Sequence, residues 1–357
     1  MKPGLLIALG VIALAAVGGA AFVVTKQNAA TQEAQLGQRL YPEVAARGSD
    51  IQTIVVKYKD GSFRIARDGE RWLVPDKSKY PASPDAVRKL LVGLSELRAM
   101  EAKTKQPALY PELEVENIDA PDAKSVQVSL QDGAGRDVLA VLIGKSRFGR
   151  GGTAGDGVYI RKVGDAQAWL AQGRVNVDRQ VSAWLDRRLA DVSRDRVQSI
   201  TVKDGQQSLT VLRTKPDDKD FAIKNMPADR KAKSSYDTNA VGGAFETLDL
   251  DDVRPAAEVN FSANSPTTEV LTFDGLRLTA SFADQDGATW VRFAAKAEPS
   301  VEPVKAEGDS KLKPADDVKK EADAINAKVG GWAYKLPGYK IESMRRKMED
   351  LLEQKAS

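Results

Sequence analysis

A strand-like heptapeptide occurs twice, 146 positions apart: residues 51–57 read IQTIVVK and residues 197–203 read VQSITVK. The segments downstream of the two copies share one order. In the first, Asp60 and Gly61 supply hairpin-turn chemistry, 62–67 alternates polar and apolar as a return strand, and a second Asp-Gly pair at 68–69 leads to a third strand at 71–74. Ser83, Pro84 and Asp85 then form a helix start, before Val87, Leu90, Leu91, Leu94 and Leu97 recur at helical spacing. In the second copy 208–213 returns, 221–223 takes the place of 72–74, and Ser235, Tyr236 and Asp237 stand where Ser83, Pro84 and Asp85 stood. Val241, Phe245 and Leu248 carry the apolar stripe of the second helix. A period this long indicates a duplicated domain rather than a solenoid of short repeats.

Each copy continues with strands, at 125–130, 138–143 and 157–161 in the first and at 269–273, 276–282 and 289–295 in the second. Each is expected to end on a helix, holding Trp184, Leu185 and Leu189 in the first and Ile341, Met344, Met348, Leu351 and Leu352 in the second. Hairpin-linked strands interrupted by single helices predict the α+β class: two duplicated domains of antiparallel sheet with packed helices, at 51–192 and 193–357. A chain of 357 residues has the length for two such cores. Residues 296–330 are rich in Lys, Glu, Asp, Ala and Pro and are expected to form a mobile charged insertion. Its 315–329 part has helical potential, and a solvated loop is the favoured state.

Ahead of the duplication, residues 4–24 carry no charge and no strongly polar side chain, between Lys2 and Lys26. At 1.5 Å per residue this run matches a bilayer core of about 30 Å. Residues 1–26 therefore read as a signal-anchor transmembrane segment and 27–50, polar and rich in Ala and Gln, as a tether. A cleaved signal peptide, cut after Ala20, is the competing reading and leaves Phe22, Val23 and Val24 unexplained. Both export the body. The absence of cysteine excludes lipoprotein processing, and a first segment with a short basic lead leaves its amino terminus inside. The expected location is the bacterial inner membrane, crossed once, with the body in the periplasm.

Composition closes off much chemistry. With no cysteine and no histidine there are no disulfides, thiolate nucleophiles or imidazole bases, nor the zinc sites that need them. The 53 basic and 50 acidic side chains leave a formal charge of +3, which gives no footprint for nucleic acid. Gly144, Lys145 and Ser146 end like a phosphate-binding loop, but Leu139 stands where that motif requires its first glycine. The glycine-rich run from Gly149 to Gly157 reads as a hairpin loop. Asp249, Asp251 and Asp252 form a compact carboxylate group too poor in oxygens for calcium. Trp72, Trp169, Trp184, Trp290 and Trp332 fall in predicted strands and helices, where such rings pack cores more often than they line saccharide grooves. No catalytic, cofactor-binding or metal-binding residue is assigned, and no cofactor is expected.

The order of apolar anchor, strand pair, DGERWLVP at 68–75, SPDAVRKLLVGLSELRA at 83–99, LIGKS at 142–146, GVYIRK, WLDRRL and the closing GWAYKLPGYK at 331–340 resembles a bacterial envelope family, the domain of unknown function 4340 family. Members are commonly encoded beside ABC-type transporter permeases. The resemblance therefore implies a membrane-anchored extracytoplasmic accessory subunit, held to the lipid bilayer through residues 4–24, with a permease or sister envelope subunit as partner and no catalysis. An envelope binding module for glycan, lipid or peptide is the alternative, and a carboxylate-based hydrolase a third reading.

Overall fold

The structure, a computed structural model, describes residues 36–148, 156–300 and 312–354. It is α+β with antiparallel sheets and few helices, and the chain divides into two compact units, 1–76 with 81–184 and 77–80 with 185–357. Among the described residues no helix is long and apolar enough to cross a membrane; the span expected at 4–24 lies outside them.

The first unit holds β1 (Thr53–Tyr58), β2 (Gly61–Asp68), β3 (Arg71–Val74), the second residue of the two-residue β4 (Tyr80–Pro81), β5 (Arg98–Ala102), β6 (Val126–Gln131), β7 (Asp137–Arg147), β8 (Gly157–Lys162) and β9 (Ala168–Gln172). They form one sheet in the order β4-β3-β2-β1-β6-β7-β8-β9-β5. Ile54 and Val56 on β1 face Ile65 and Phe63 on β2 and Leu130 and Val128 on β6, so alternation along each strand becomes a continuous apolar row across the sheet. Among the described residues three helices accompany it, α1 (Pro42–Ala46), α2 (Pro84–Glu96) and α3 (Tyr110–Leu113). α2 starts as its sequence predicts: the Ser83 hydroxyl accepts the Ala86 amide at 3.2 Å, Pro84 is the first helical residue, and Val87, Leu90 and Leu94 are buried. It stops at Glu96, so Leu97, expected on its apolar stripe, lies just beyond it, and Arg98 and Ala99 open the edge strand β5.

The second unit holds β10 (Arg188–Ala190), β11 (Val197–Asp204), β12 (Gln207–Leu212), β13 (Ala222–Ile223), β14 (Leu248–Asp249), β15 (Asp252–Pro255), β16 (Thr267–Thr272), β17 (Leu276–Gln285), β18 (Ala288–Ala297) and β19 (Trp332–Lys335). β10 and β14 pair separately, and the rest form a sheet in the order β13-β12-β11-β16-β17-β18-β19-β15. Position by position this is the order β3-β2-β1-β6-β7-β8-β9-β5 of the first unit. Its helices are α4 (Ser235–Gly242), α5 (Ala315–Val329) and α6 (Gly338–Met344).

Three sequence expectations are corrected. The cap of α4 is Ser234, one residue earlier than expected, and the helix ends at Gly242, so Phe245 and Leu248 lie beyond it. Gly242 packs directly on the Phe221 ring, where a Cβ would collide. The helix expected around Trp184, Leu185 and Leu189 is a single 3-10 turn, Val181–Trp184, followed by strand β10, whose backbone is held extended by pairing with residues 248–249. Within the charged insertion, 315–329 is the full helix α5, which buries Val318, Ala322, Ile325 and Val329 against β17 and β18. The Asn326 side chain accepts from the Ala295 amide and donates to its carbonyl, both at 2.8 Å, standing in for a strand partner where β19 has stopped.

Candidate functional site

The expected single carboxy-terminal helix is broken. α6 ends at Met344, and a 3-10 turn, Met348–Leu351, comes after it. The break has identifiable partners. The buried Thr268 hydroxyl donates to the Met344 carbonyl, satisfying a group the helix end leaves open, and Arg345 is drawn to Asp284 on β17 at 3.1 Å. The Asp350 carboxylate accepts the Lys347 amide at 2.8 Å and starts the new turn.

Between this bent segment and the sheet lies a half-enclosed cavity of about 280 Å³. The β11–β12 hairpin contributes Val202 and Leu209, the loop before β16 contributes Pro266, β17 contributes Phe282, and the break contributes Met348. Leu209 and Phe282 are each about 1% exposed, so the floor is rigid core. The mouth is charged, with Lys203, Arg345, Arg346 and Lys347 against Asp204 and Glu349. Most of these charges are already matched. Arg345 faces Asp284 and Asp204, Arg346 pairs with Glu342 at 3.0 Å, and Glu349 with Arg230 at 3.1 Å. Asp284, hydrogen-bonded by the Thr289 hydroxyl and paired with Arg345, is held below the ordinary carboxylate range, so it stays ionised beside the mouth. Lys203 and Lys347 make no ion pair among the described residues.

A second, more open concavity of about 300 Å³ lies along α4 and α6, with the exposed rings of Tyr236 and Tyr339 at its margin and Lys340 beneath. Lys340 is buried; its ammonium donates to the carbonyls of Ala244 and Glu246, and burial pushes its pKa below the usual lysine value of 10.5. The polar side chains here serve the backbone: Asn239 accepts from Phe221 and Glu246 from Arg194. Lys340 holds a loop in place, and the apolar-walled cavity is the better candidate for recognition.

The residues singled out in the sequence do not converge on either concavity. Asp249 pairs with Arg188 at 2.6 Å, Asp251 with Arg187 at 3.4 Å and Asp252 with Lys77 at 2.5 Å, so each carboxylate has its own cation. Among the described residues no group of three or more acidic side chains is placed to hold a metal ion. Gly144, Lys145 and Ser146 end strand β7, and Gly144 lies so close to the Leu113 and Glu114 carbonyls that a Cβ would strike them. Gly157 opens β8, while 149–155 lie outside the described residues. Trp169, Trp184 and Trp290 are buried and Trp72 and Trp332 half-buried. The cavity residues carry no motif. Val202 and Leu209 read as ordinary strand positions, and only the helix break places Met348 opposite them.

Fold and site together define an α+β protein of antiparallel sheets whose second unit offers a preformed apolar cavity with a basic margin. The chain belongs to the family described as Domain of unknown function (DUF4340), whose model matches residues 72–269, more than half of it. That span runs from β3 to β16 and so includes parts of both units. No curated protein matches the chain.

Proposed function

We propose that the protein is a membrane-anchored extracytoplasmic accessory subunit that works by recognition rather than catalysis. Residues 4–24 hold it in the bacterial inner membrane, the body lies in the periplasm, and its partner is an ABC-type permease or a sister envelope subunit. The two units are copies of one ancestral domain, a reading supported by the repeated heptapeptide and the shared strand order. The observation that carries recognition is the cavity itself: its walls are strand and helix-end residues locked by packing, and its mouth retains uncommitted positive charge.

The test is crosslinking in intact bacterial membranes, then affinity purification of the tagged full-length chain and mass spectrometry. Recovery of a permease with its ATPase is the expected result. Recovery of the chain alone, under conditions that retain known membrane complexes, overturns the accessory-subunit reading.

A further inference from the structure

We infer that the cavity between the β11–β12 hairpin and residues 345–349 takes a single-chain anionic amphiphile, an alkyl carboxylate or alkyl phosphate monomer. Its tail rests on Leu209 and Phe282 and its head group on Lys203 and Lys347. This deepens the recognition reading of the same cavity and rests on that reading, while it is independent of the membrane anchor and the transporter.

Three observations select this ligand class. The buried walls are apolar: Val202, Leu209 and Phe282 offer no donor, Pro266 and Met348 flank them, the hydroxyl proton of Thr268 is already given to the Met344 carbonyl, and the other polar lining side chains, Gln207, Ser208 and Thr267, stand toward solvent rather than on the buried floor. A saccharide would bury hydroxyl groups there without partners, which is unfavourable. The size suits a short chain, since about 150 Å³ holds one benzene ring and this cavity is nearly twice that, room for a tail of about eight carbons. The charge left over at the mouth is positive. Asp204, Glu349 and the two arginines are engaged in ion pairs, whereas Lys203 and Lys347 are exposed and lack them. An amphiphile whose head is an anion satisfies both surfaces at once, and a cationic or neutral head satisfies only the walls.

The experiment is photolabelling of the full-length protein, in phosphatidylcholine nanodiscs, with octanoate carrying a diazirine in its tail, and mapping of labelled peptides. Label is expected on peptides containing 202–209, 266–268 and 345–349, displaced by octyl phosphate at concentrations at least tenfold below those needed for octylamine or octanol. Leu209→Trp, which fills the cavity, should abolish labelling. The exposed double variant Lys203→Glu with Lys347→Glu should weaken it at least tenfold, and circular dichroism confirms that it stays folded. Labelling spread over other peptides, equal displacement by octanol, or an insensitive double variant overturns the inference. So does stronger displacement by a short apolar peptide with a free carboxylate, which would assign the cavity to peptides. Crosslinked permease is scored on the same preparation. Loss of labelling with permease retained counts against the ligand alone, and the converse against the accessory role alone.

Discussion

Gly144 stands in a sequence that resembles the end of a phosphate-binding loop, yet its identity is set by the two carbonyls against which β7 passes. Gly144→Ala should therefore cost about 1–3 kcal/mol in urea denaturation, the range for forcing a group into a packed site. Lys145→Ala and Ser146→Ala should stay within about 0.5 kcal/mol, as at ordinary surface positions. Equal losses at all three would contradict a purely steric role. Lys340 offers a test by pH. Burial lowers its pKa in the folded state, so between that value and the unfolded value near 10.5 the unfolded chain binds more protons. Stability should rise with pH across that window, and Lys340→Met should flatten the rise when urea midpoints at pH 7 and pH 10 are compared. Neither role is legible in the sequence. Close carbonyls and a buried ammonium depend on which segments the fold brings together, and the local sequence at Gly144 or Lys340 carries no trace of them.

At the scale of elements, legibility tracks hydrophobic pattern. The paired hairpins and α2 are readable because period-two and helical spacing, with Ser83-Pro84 as a start signal, are properties of the segment alone. The short edge strands β5 and β15, and β19 beside β15, are not, since each is fixed by its neighbours. α5 is legible as a possible helix but reads as solvated, because seven charged side chains in its 15 residues mask a narrow stripe of four buried positions. What fixes its start is a buried cluster. Arg196, about 3% exposed, bonds Asp274 at 2.8 Å and Glu321 of α5 at 2.8 Å, and Asp274 also accepts the Lys313 amide. Arg196→Met leaves Asp274 as a buried unpaired carboxylate and should destabilise the protein by about 3–5 kcal/mol. Adding Asp274→Asn should recover part of that loss in chemical denaturation. A double variant no more stable than the single would show that the charge at Asp274 is not the source of the penalty. The bend after Met344 belongs to the same scale: the apolar face running from Ile341 to Leu352 is compatible with one continuous helix, and only the contacts of Thr268 and Asp284 divide it.

For the whole molecule, hairpin-linked strands interrupted by single helices lead to the α+β class and to antiparallel sheet, because that order of patterns runs along the entire chain. The candidate cavity stays hidden for the opposite reason: it joins residues 202–209 to 345–349, and no local pattern links them. If residues 4–24 span a bilayer, the full chain should sediment with bacterial membranes and resist extraction by alkaline carbonate. A variant lacking residues 1–26 should appear in the soluble fraction; sedimentation of both forms would locate the membrane attachment elsewhere. The strand order also bears on biosynthesis. In both units an early strand takes the far edge of the sheet, where its neighbour is the last strand made: β5 waits for β9, and β15 for β19. At about 5–20 residues per second, roughly 4–15 s pass between emergence of Pro255 from the ribosome and that of Trp332. During that interval Val253 and its neighbours on the nascent chain have no ladder to join, so slower elongation lengthens the period open to aggregation while leaving the finished sheet unchanged.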